Sequence, residues 1–251
     1  PELVMTLIVV VDDATSRLLY AQLWPEETTE AILSALRSVI VEHGLFMALY
    51  NDRAGWAFTT PKEQGKVSKT EFTQVGRALD RLGIEHIPAY SPQARGRSER
   101  ANRTLQDRLV NELKAAGIRD VAEANRFIRE TYLPEHNRNF AREPADPASC
   151  FVRVGGIELD DILCVEEERT VGNDNVVRYD NKHLQIGKQR ERATCKGLKV
   201  QVRQHLDGTI SVVRGVKVLG RFTADGLPLE LSPTRTQRTG RRGRMHEVAA
   251  A

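Results

Sequence analysis

"LIVVVDDATSRLLYAQLWPEETTEAILSAL", residues 7–36, reads as strand, turn, strand and helix. Met5 to Val11 is rich in β-branched residues and apolar on both faces, which predicts a fully buried central strand. Asp12 to Ser16 is a turn, because Asp, Thr and Ser side chains hydrogen-bond local backbone. Arg17 to Trp24 is a second strand, antiparallel to the first across that short turn. A helix then spans Thr28 to His43. Thr28 or Thr29 caps it, Ile32, Leu33, Leu36, Val39 and Ile40 share its buried face, and Gly44 ends it.

The alternation continues. Phe46 to Tyr50 reads as a strand that stops at "NDRAG". Thr59 to Thr70, polar and carrying Pro61, Gly65 and three lysines, reads as an inserted loop. Phe72 to Leu82 reads as a helix with Phe72, Val75, Leu79 and Leu82 on one face, stopped by Gly83. Ile84 to Ile87 is a short strand. A helix runs from about Gly96 or Arg97 to Ala115, Gly117 breaks it, and Val121 to Tyr132 forms another. Strands alternating with helices predict an α/β domain with a mixed sheet. After about residue 150 the period changes to short alternating strands around Asp207-Gly208, a strong hairpin signal. The expected organisation is an α/β core over 1–148, a small all-β barrel over 149–230 and a basic disordered tail over 231–251.

The chain has 251 residues, about two fifths of them apolar, so it can bury a core. Its net charge of +3 implies no partner, but the distribution does. Arg235, Arg238, Arg241, Arg242 and Arg244 lie in the stretch from Leu231 to His246, which holds no acid and suits polyanions or simply solvent. Cys150, Cys164 and Cys195 lack zinc-ligand spacing and read as reduced thiols. No apolar run reaches the roughly 18 residues of a membrane span, and no signal peptide is visible.

Two carboxylates stand out. Asp52 lies just past a strand in "YNDRAGWAF", where it also suits a turn beside Gly55. Glu99 lies among Arg95, Arg97, Arg100 and Arg103, in the first turn of the expected helix. There it suits the helix dipole and an ion pair with Arg103. Asn102, Arg103 and Gln106 follow it on one face, while Leu105, Leu109 and Leu113 form an apolar stripe.

"YNDRAGWAF" resembles the strand-end "TDNGxxF" motif of the retroviral-integrase superfamily, and "SPQARGRSERANRTLQDRL" resembles its "NPQSxGxxExxN" motif. The resemblance covers roughly residues 5–140 and is closest to bacterial insertion-sequence transposases with an integrase core. It implies a ribonuclease-H-like fold and Asp-Asp-Glu chemistry: metal-dependent phosphodiester cleavage and strand transfer at a two-metal Mg²⁺ or Mn²⁺ site. By position Asp52 is the second acid and Glu99 the third. Residues 53 to 98 make a longer spacer than many members have, and the loop near 59–70 accounts for the excess.

The family's first acid sits on a strand before "LIVVVDDATS", so the chain reads as an N-terminally truncated copy, inactive by itself. Asp12 and Asp13 read as turn formers with a possible second-layer role. Arg95, Arg97, Arg100, Asn102, Arg103, Gln106, Arg241 and Arg242 are the expected contacts to double-stranded DNA, the element ends and target. The all-β module resembles the C-terminal barrel of integrases; Arg190, Arg192, Lys196, Lys199 and Arg203 make it basic. The complete protein is expected to be a homo-oligomer in the bacterial cytoplasm, associated with the nucleoid and not with membrane. Two other classes fit the same residues: a non-catalytic DNA-binding or assembly module, and a ribonuclease-H-type nuclease.

Overall fold

Nine-residue and longer helices alternate with short strands in the first half of the chain, and strands dominate the second. This computed structural model describes residues 4–52, 54–59, 71–90, 92–189, 191 and 193–229, and the backbone alone for 92–101. The loop expected near 59–70 lies almost wholly outside the described residues, as do Arg190, Arg192 and the tail.

Strand β1 (Thr6–Val11) pairs antiparallel with β2 (Leu18–Trp24) through the turn at Asp12. Asp12 makes that turn. Its carboxylate accepts the Thr15 backbone N–H at 3.1 Å and the Thr15 hydroxyl, and its backbone accepts the Ser16 N–H at 2.8 Å. Helix α1 (Thr29–His43) starts where Thr28 Oγ1 accepts the Ala31 N–H at 3.2 Å. It ends at Gly44, whose φ of 107° leaves room for the Val152 carbonyl: a Cβ there would sit 2.6 Å from that oxygen. Leu45 and Val152 exchange both backbone hydrogen bonds at 2.8 Å, tying the segment beyond residue 148 back to the core.

Strand β3 (Ala48–Asn51) pairs in parallel with β4 (Glu85–Pro88), and helix α2 (Gln74–Leu82) crosses between them. Thr73 Oγ1 caps α2 by accepting the Gly76 N–H at 3.0 Å, so the helix begins later than its apolar pattern suggests. Phe72 falls outside it and is exposed rather than on the core face. Helix α3 (Pro92–Ala115) begins earlier than expected. Proline suits a first helical turn, where its missing N–H costs nothing, and Gly96 is absorbed into the helix.

Residues of β1 alternate between two cores, which explains its unbroken apolar pattern. Ile8 and Val10 face α1 and α2; Leu7, Val9 and Val11 face Leu105 and Leu109 of α3 together with Ile128 and Tyr132. Only Ile8 is fully buried, however, because among the described residues β1 pairs with β2 alone. The strand expected to be central and fully buried thus has an open edge.

The helix expected over Val121 to Tyr132 runs on to Phe140. It comprises α4 (Val121–Phe127), a π turn (Ile128–Tyr132) and α5 (Leu133–Phe140). It lies along β2 and bonds to it through two side-chain amides. Asn125 accepts the Leu23 N–H at 2.7 Å and donates to the Leu23 carbonyl at 3.0 Å. Asn137 does the same for Leu18, at 2.8 and 2.9 Å.

After the short helix α6 (Leu159–Ile162) the chain enters its second half. Strands β5 (Val165–Thr170), β8 (Lys199–Gln204), β9 (Ile210–Arg214), β10 (Lys217–Phe222) and β11 (Pro228–Leu229) form one antiparallel sheet in the order β11-β10-β9-β8-β5. Strands β6 (Val176–Tyr179) and β7 (Lys182–Gln185) form a separate hairpin that shares the core of Val177, Leu184, Val202, Val212 and Phe222. Asp207-Gly208 makes the β8–β9 hairpin, with Gly208 at φ 84°. Among the described residues the strand ladder stays open, where a small barrel was expected.

The two halves meet at a buried ionic cluster. Glu166 on β5, with its side chain 5 % exposed, takes both Arg81 guanidinium nitrogens at 2.7 and 2.8 Å and Arg203 Nε at 2.8 Å. Arg77 Nη1 lies 3.6 Å away, and the Gln74 amide bonds the Glu166 backbone N–H and carbonyl at 2.9 and 2.7 Å. Burial alone would raise the Glu166 pKa, but the Arg81 hydrogen bond and the charges of Arg77, Arg81 and Arg203 outweigh it and hold the carboxyl below its ordinary value.

Candidate functional site

A parallel β-pair ends its strands at the same side of the sheet, and the residues that follow converge there. Asn51 closes β3 opposite Pro88, the last residue of β4. Asp52 therefore leaves β3 at this end, and α3 starts at the same end, four positions after Pro88.

Asp52 is half-buried. Its Oδ1 accepts the Ala54 N–H at 3.3 Å, and its carbonyl accepts Asn51 Nδ2 at 2.7 Å. Asn51 Oδ1 lies 2.7 Å from Nε2 of His86, on β4. The His86 ring stacks on Phe58, with centroids 4.0 Å apart and planes at 23°. Burial lowers the His86 pKa to about 4, so the ring is neutral near pH 7. The turn after Asp52 closes through Ala57 N–H to Ala54 carbonyl at 2.9 Å, and Thr73 Oγ1 donates to the Ala57 carbonyl at 3.0 Å.

Glu99 is the eighth residue of α3, not in its first turn, because the helix begins at Pro92. The favourable dipole of a first-turn acid therefore does not apply to it. Its side chain and those of Arg95, Arg97 and Arg100 lie outside the described residues. Beyond them Asn102, Arg103 and Gln106 are exposed, while Leu105 and Leu109 are buried on the opposite face against β1 and β2. The polar face of α3 thus points to solvent for at least two turns past Glu99.

Asp12 and Asp13 sit at the end of β1, where Asp12 is committed to its turn and Asp13 is exposed. In the second half, Arg203 is not a surface cation: it is spent on Glu166 at 2.8 Å and Asp161 at 3.3 Å. Lys199 pairs with Glu168 at 2.8 Å and Lys196 is exposed. Arg241 and Arg242 lie outside the described residues. Among those described, no three His, Cys, Asp or Glu side chains converge as a metal-ligand group. Asp52 places a carboxylate at this strand end. That donor fits Mg²⁺ or Mn²⁺, which need further oxygens to complete their shell.

Two curated proteins resemble the chain over most of its length. The chain is 32% identical over 209 residues, 82% of its length, to "Putative transposase y4bF" of Sinorhizobium fredii (strain NBRC 101917 / NGR234). It is 29% identical over 206 residues, 81% of its length, to "Transposase for insertion sequence IS1202" of Streptococcus pneumoniae. Its similarity is to transposases. The matches cover 45% and 44% of those two proteins, so the chain spans under half the length of the curated relatives it matches. No protein-family model matches it. None of its described helices is long and apolar enough to cross a membrane.

Sequence reasoning missed Asn51, His86 and the Glu166 cluster. Asn51 and His86 are 35 positions apart and become neighbours only when β3 and β4 pair. The one local signal was a polar pair, Asn51-Asp52, at the end of an apolar strand.

Proposed function

We propose that this chain is the catalytic core of an Asp-Asp-Glu transposase with a ribonuclease-H-like fold. The observation that carries the reading is topological. Asp52 follows one strand of a parallel pair, and the helix bearing Glu99 starts from the end of the other. The antiparallel β1–β2 pair, then α1, then parallel β3 and β4 suit that fold. Similarity to a transposase of an insertion sequence supports the activity.

In this reading the Asp52 and Glu99 carboxylates, with a first acid on a strand preceding Thr6, hold Mg²⁺ or Mn²⁺. The ions would supply Lewis-acid activation of the attacking oxygen and stabilisation of the leaving oxygen of a phosphodiester. The chain's own residues do the rest. Asp52 is aimed from a rigid strand end. The exposed Asn102, Arg103 and Gln106, with Arg95, Arg97 and Arg100, lie along double-stranded DNA and grip phosphates without reading sequence. Leu105 and Leu109 fix the helix that presents them by packing on β1 and β2. Arg241 and Arg242 extend the basic contact. A homo-oligomer would bring two element ends to one target.

The test joins the chain to its upstream coding sequence and assays cleavage and strand transfer on matching end DNA. Asp52→Asn and Glu99→Gln each remove an anionic oxygen and nearly keep shape, so each should abolish cleavage while DNA binding survives. Full cleavage by either variant rejects its assignment as a metal ligand.

A further inference from the structure

We propose that His86 is a positioning residue for Asp52, acting through the side chain of Asn51. The inference rests on the reading of Asp52 as a metal-binding acid.

The geometry is a chain of three held groups. Asn51 Nδ2 donates to the Asp52 carbonyl at 2.7 Å, which leaves Oδ1 facing His86 Nε2 at 2.7 Å. An amide oxygen only accepts, so the imidazole carries its proton on Nε2. Turning the Asn51 amide over would set Oδ1 against the Asp52 carbonyl oxygen and Nδ2 against the Nε2 proton. Two hydrogen bonds would become two repulsions, so His86 locks the amide and the amide locks the carbonyl.

That carbonyl belongs to the first peptide beyond β3, where the parallel ladder stops holding the backbone. Fixing this peptide plane fixes the Cα–Cβ direction of Asp52, and the Ala54 N–H then holds Oδ1. The imidazole is itself immobilised. It stacks on Phe58, whose backbone N–H reaches the Ala54 carbonyl at 3.2 Å, so its support belongs to the same turn. Thr73 ties the far end of the turn to the cap of α2. The Asp52 turn is thus anchored on β4 at one end and on α2 at the other. Groups that orient a metal ligand from behind commonly change metal affinity or activity by about 10–100-fold when removed.

Three measurements test this. In the present chain, nitrogen-15 spectra of His86 should show the neutral ring protonated on Nε2; an Nδ1–H ring overturns the proposal. In the chain joined to its upstream sequence, Mn²⁺ binding is followed by electron paramagnetic resonance and end cleavage by kcat and the KM for DNA. His86→Leu keeps bulk against Phe58 but loses the donor. It should weaken Mn²⁺ binding or lower kcat by about 10-fold or more, with the DNA KM unchanged and a cooperative melting transition retained. His86→Gln keeps a donor near Nε2 and should recover most of the loss.

Asn51→Leu should match His86→Leu, and the double variant should be no worse than either, because both break one chain of contacts. Unchanged Mn²⁺ binding and kcat in His86→Leu, or a His86→Gln defect equal to it, sinks the role for His86. Asp52→Asn run in parallel separates the two readings: normal metal binding and cleavage there would reject Asp52 itself, whatever His86 does.

Discussion

Replacing Glu166 by Gln should cost the protein much of its stability, for an electrostatic reason. The carboxylate is 5 % exposed and receives three hydrogen bonds, two from Arg81 and one from Arg203, with Arg77 3.6 Å away. Glutamine keeps the shape but removes the charge, and its amide nitrogen meets guanidinium donors. Arg203, 16% exposed, would then keep Asp161 as a counter-charge, while Arg77, 17% exposed, would keep its bonds to the Ile162 and Cys164 carbonyls but lose its carboxylate. Breaking a buried pair in this way costs about 3–5 kcal/mol. Arg81 is 40% exposed and regains water, which places the loss at the lower end, about 3 kcal/mol. For a chain of this size that is roughly 6–12 °C in melting temperature.

Urea denaturation read by far-ultraviolet circular dichroism measures the midpoint. Glu168→Gln, which removes an exposed pair with Lys199, serves as the control and should leave it unchanged. The pH dependence gives a second check. A carboxyl whose folded pKa is depressed contributes stability above its unfolded value, near 4.5. That contribution fades as pH falls through 4.5 and on through the folded pKa. Glu166→Gln should remove this part of the acid sensitivity. A loss below about 1 kcal/mol, the range of surface pairs, would refute the argument that the cluster is buried and uncompensated.

Two further outcomes follow from other parts of the molecule. His136, buried at 6 % exposure between Tyr132 and Phe140, has its pKa lowered by burial, so its contribution to stability is full above the unfolded value of 6.5 and falls as pH drops below it. Substituting His136→Phe should flatten that part of the acid titration; an unchanged slope below pH 6.5 rejects it. DNA affinity should fall steeply with salt through counterion release, and removing residues 233–251 should weaken binding and shallow the slope. Equal slopes with and without the tail would show that Arg241 and Arg242 make no contact.

Much of the α/β half was legible because its signals are local. Thr28, Gly44 and Gly83 act within one turn of helix, and β1 alternates between two apolar faces, so it reads as one run. Leu105 and Leu109 were found by spacing alone. The start of α3 was misjudged because Gly96 reads as a breaker, yet tertiary packing of the later turns carries the helix through it. Phe72 was misplaced because Thr73 caps α2 first. Strand β5, "VEEERT", escaped notice: three consecutive acids hide a strand whose Glu166 faces inward to arginines that pattern matching would place in solvent. Asp52 and Glu99 were singled out through motif resemblance, whereas the contacts that hold the Asp52 turn depend on strand pairing across 35 positions, which no local window contains.

The π turn at Ile128–Tyr132 works as a length and phase adjuster between helix and strand. Leu18 and Leu23 lie five residues apart on β2, roughly 17 Å at strand rise. Asn125 and Asn137 lie twelve apart, close to 18 Å at helical rise, so the lengths match. The phases would not: twelve steps of about 100° leave the two amides about 120° apart around an ideal α-helix. One residue absorbed by the π turn makes the interval equivalent to eleven steps, about 20° from whole turns, and both amides land on β2. They occupy backbone groups at both ends of its outer edge, as a neighbouring strand would. The sheet therefore has a polarity of growth. Its β2 side is sealed by amides against pairing with another copy, and any further strand joins it beside β1.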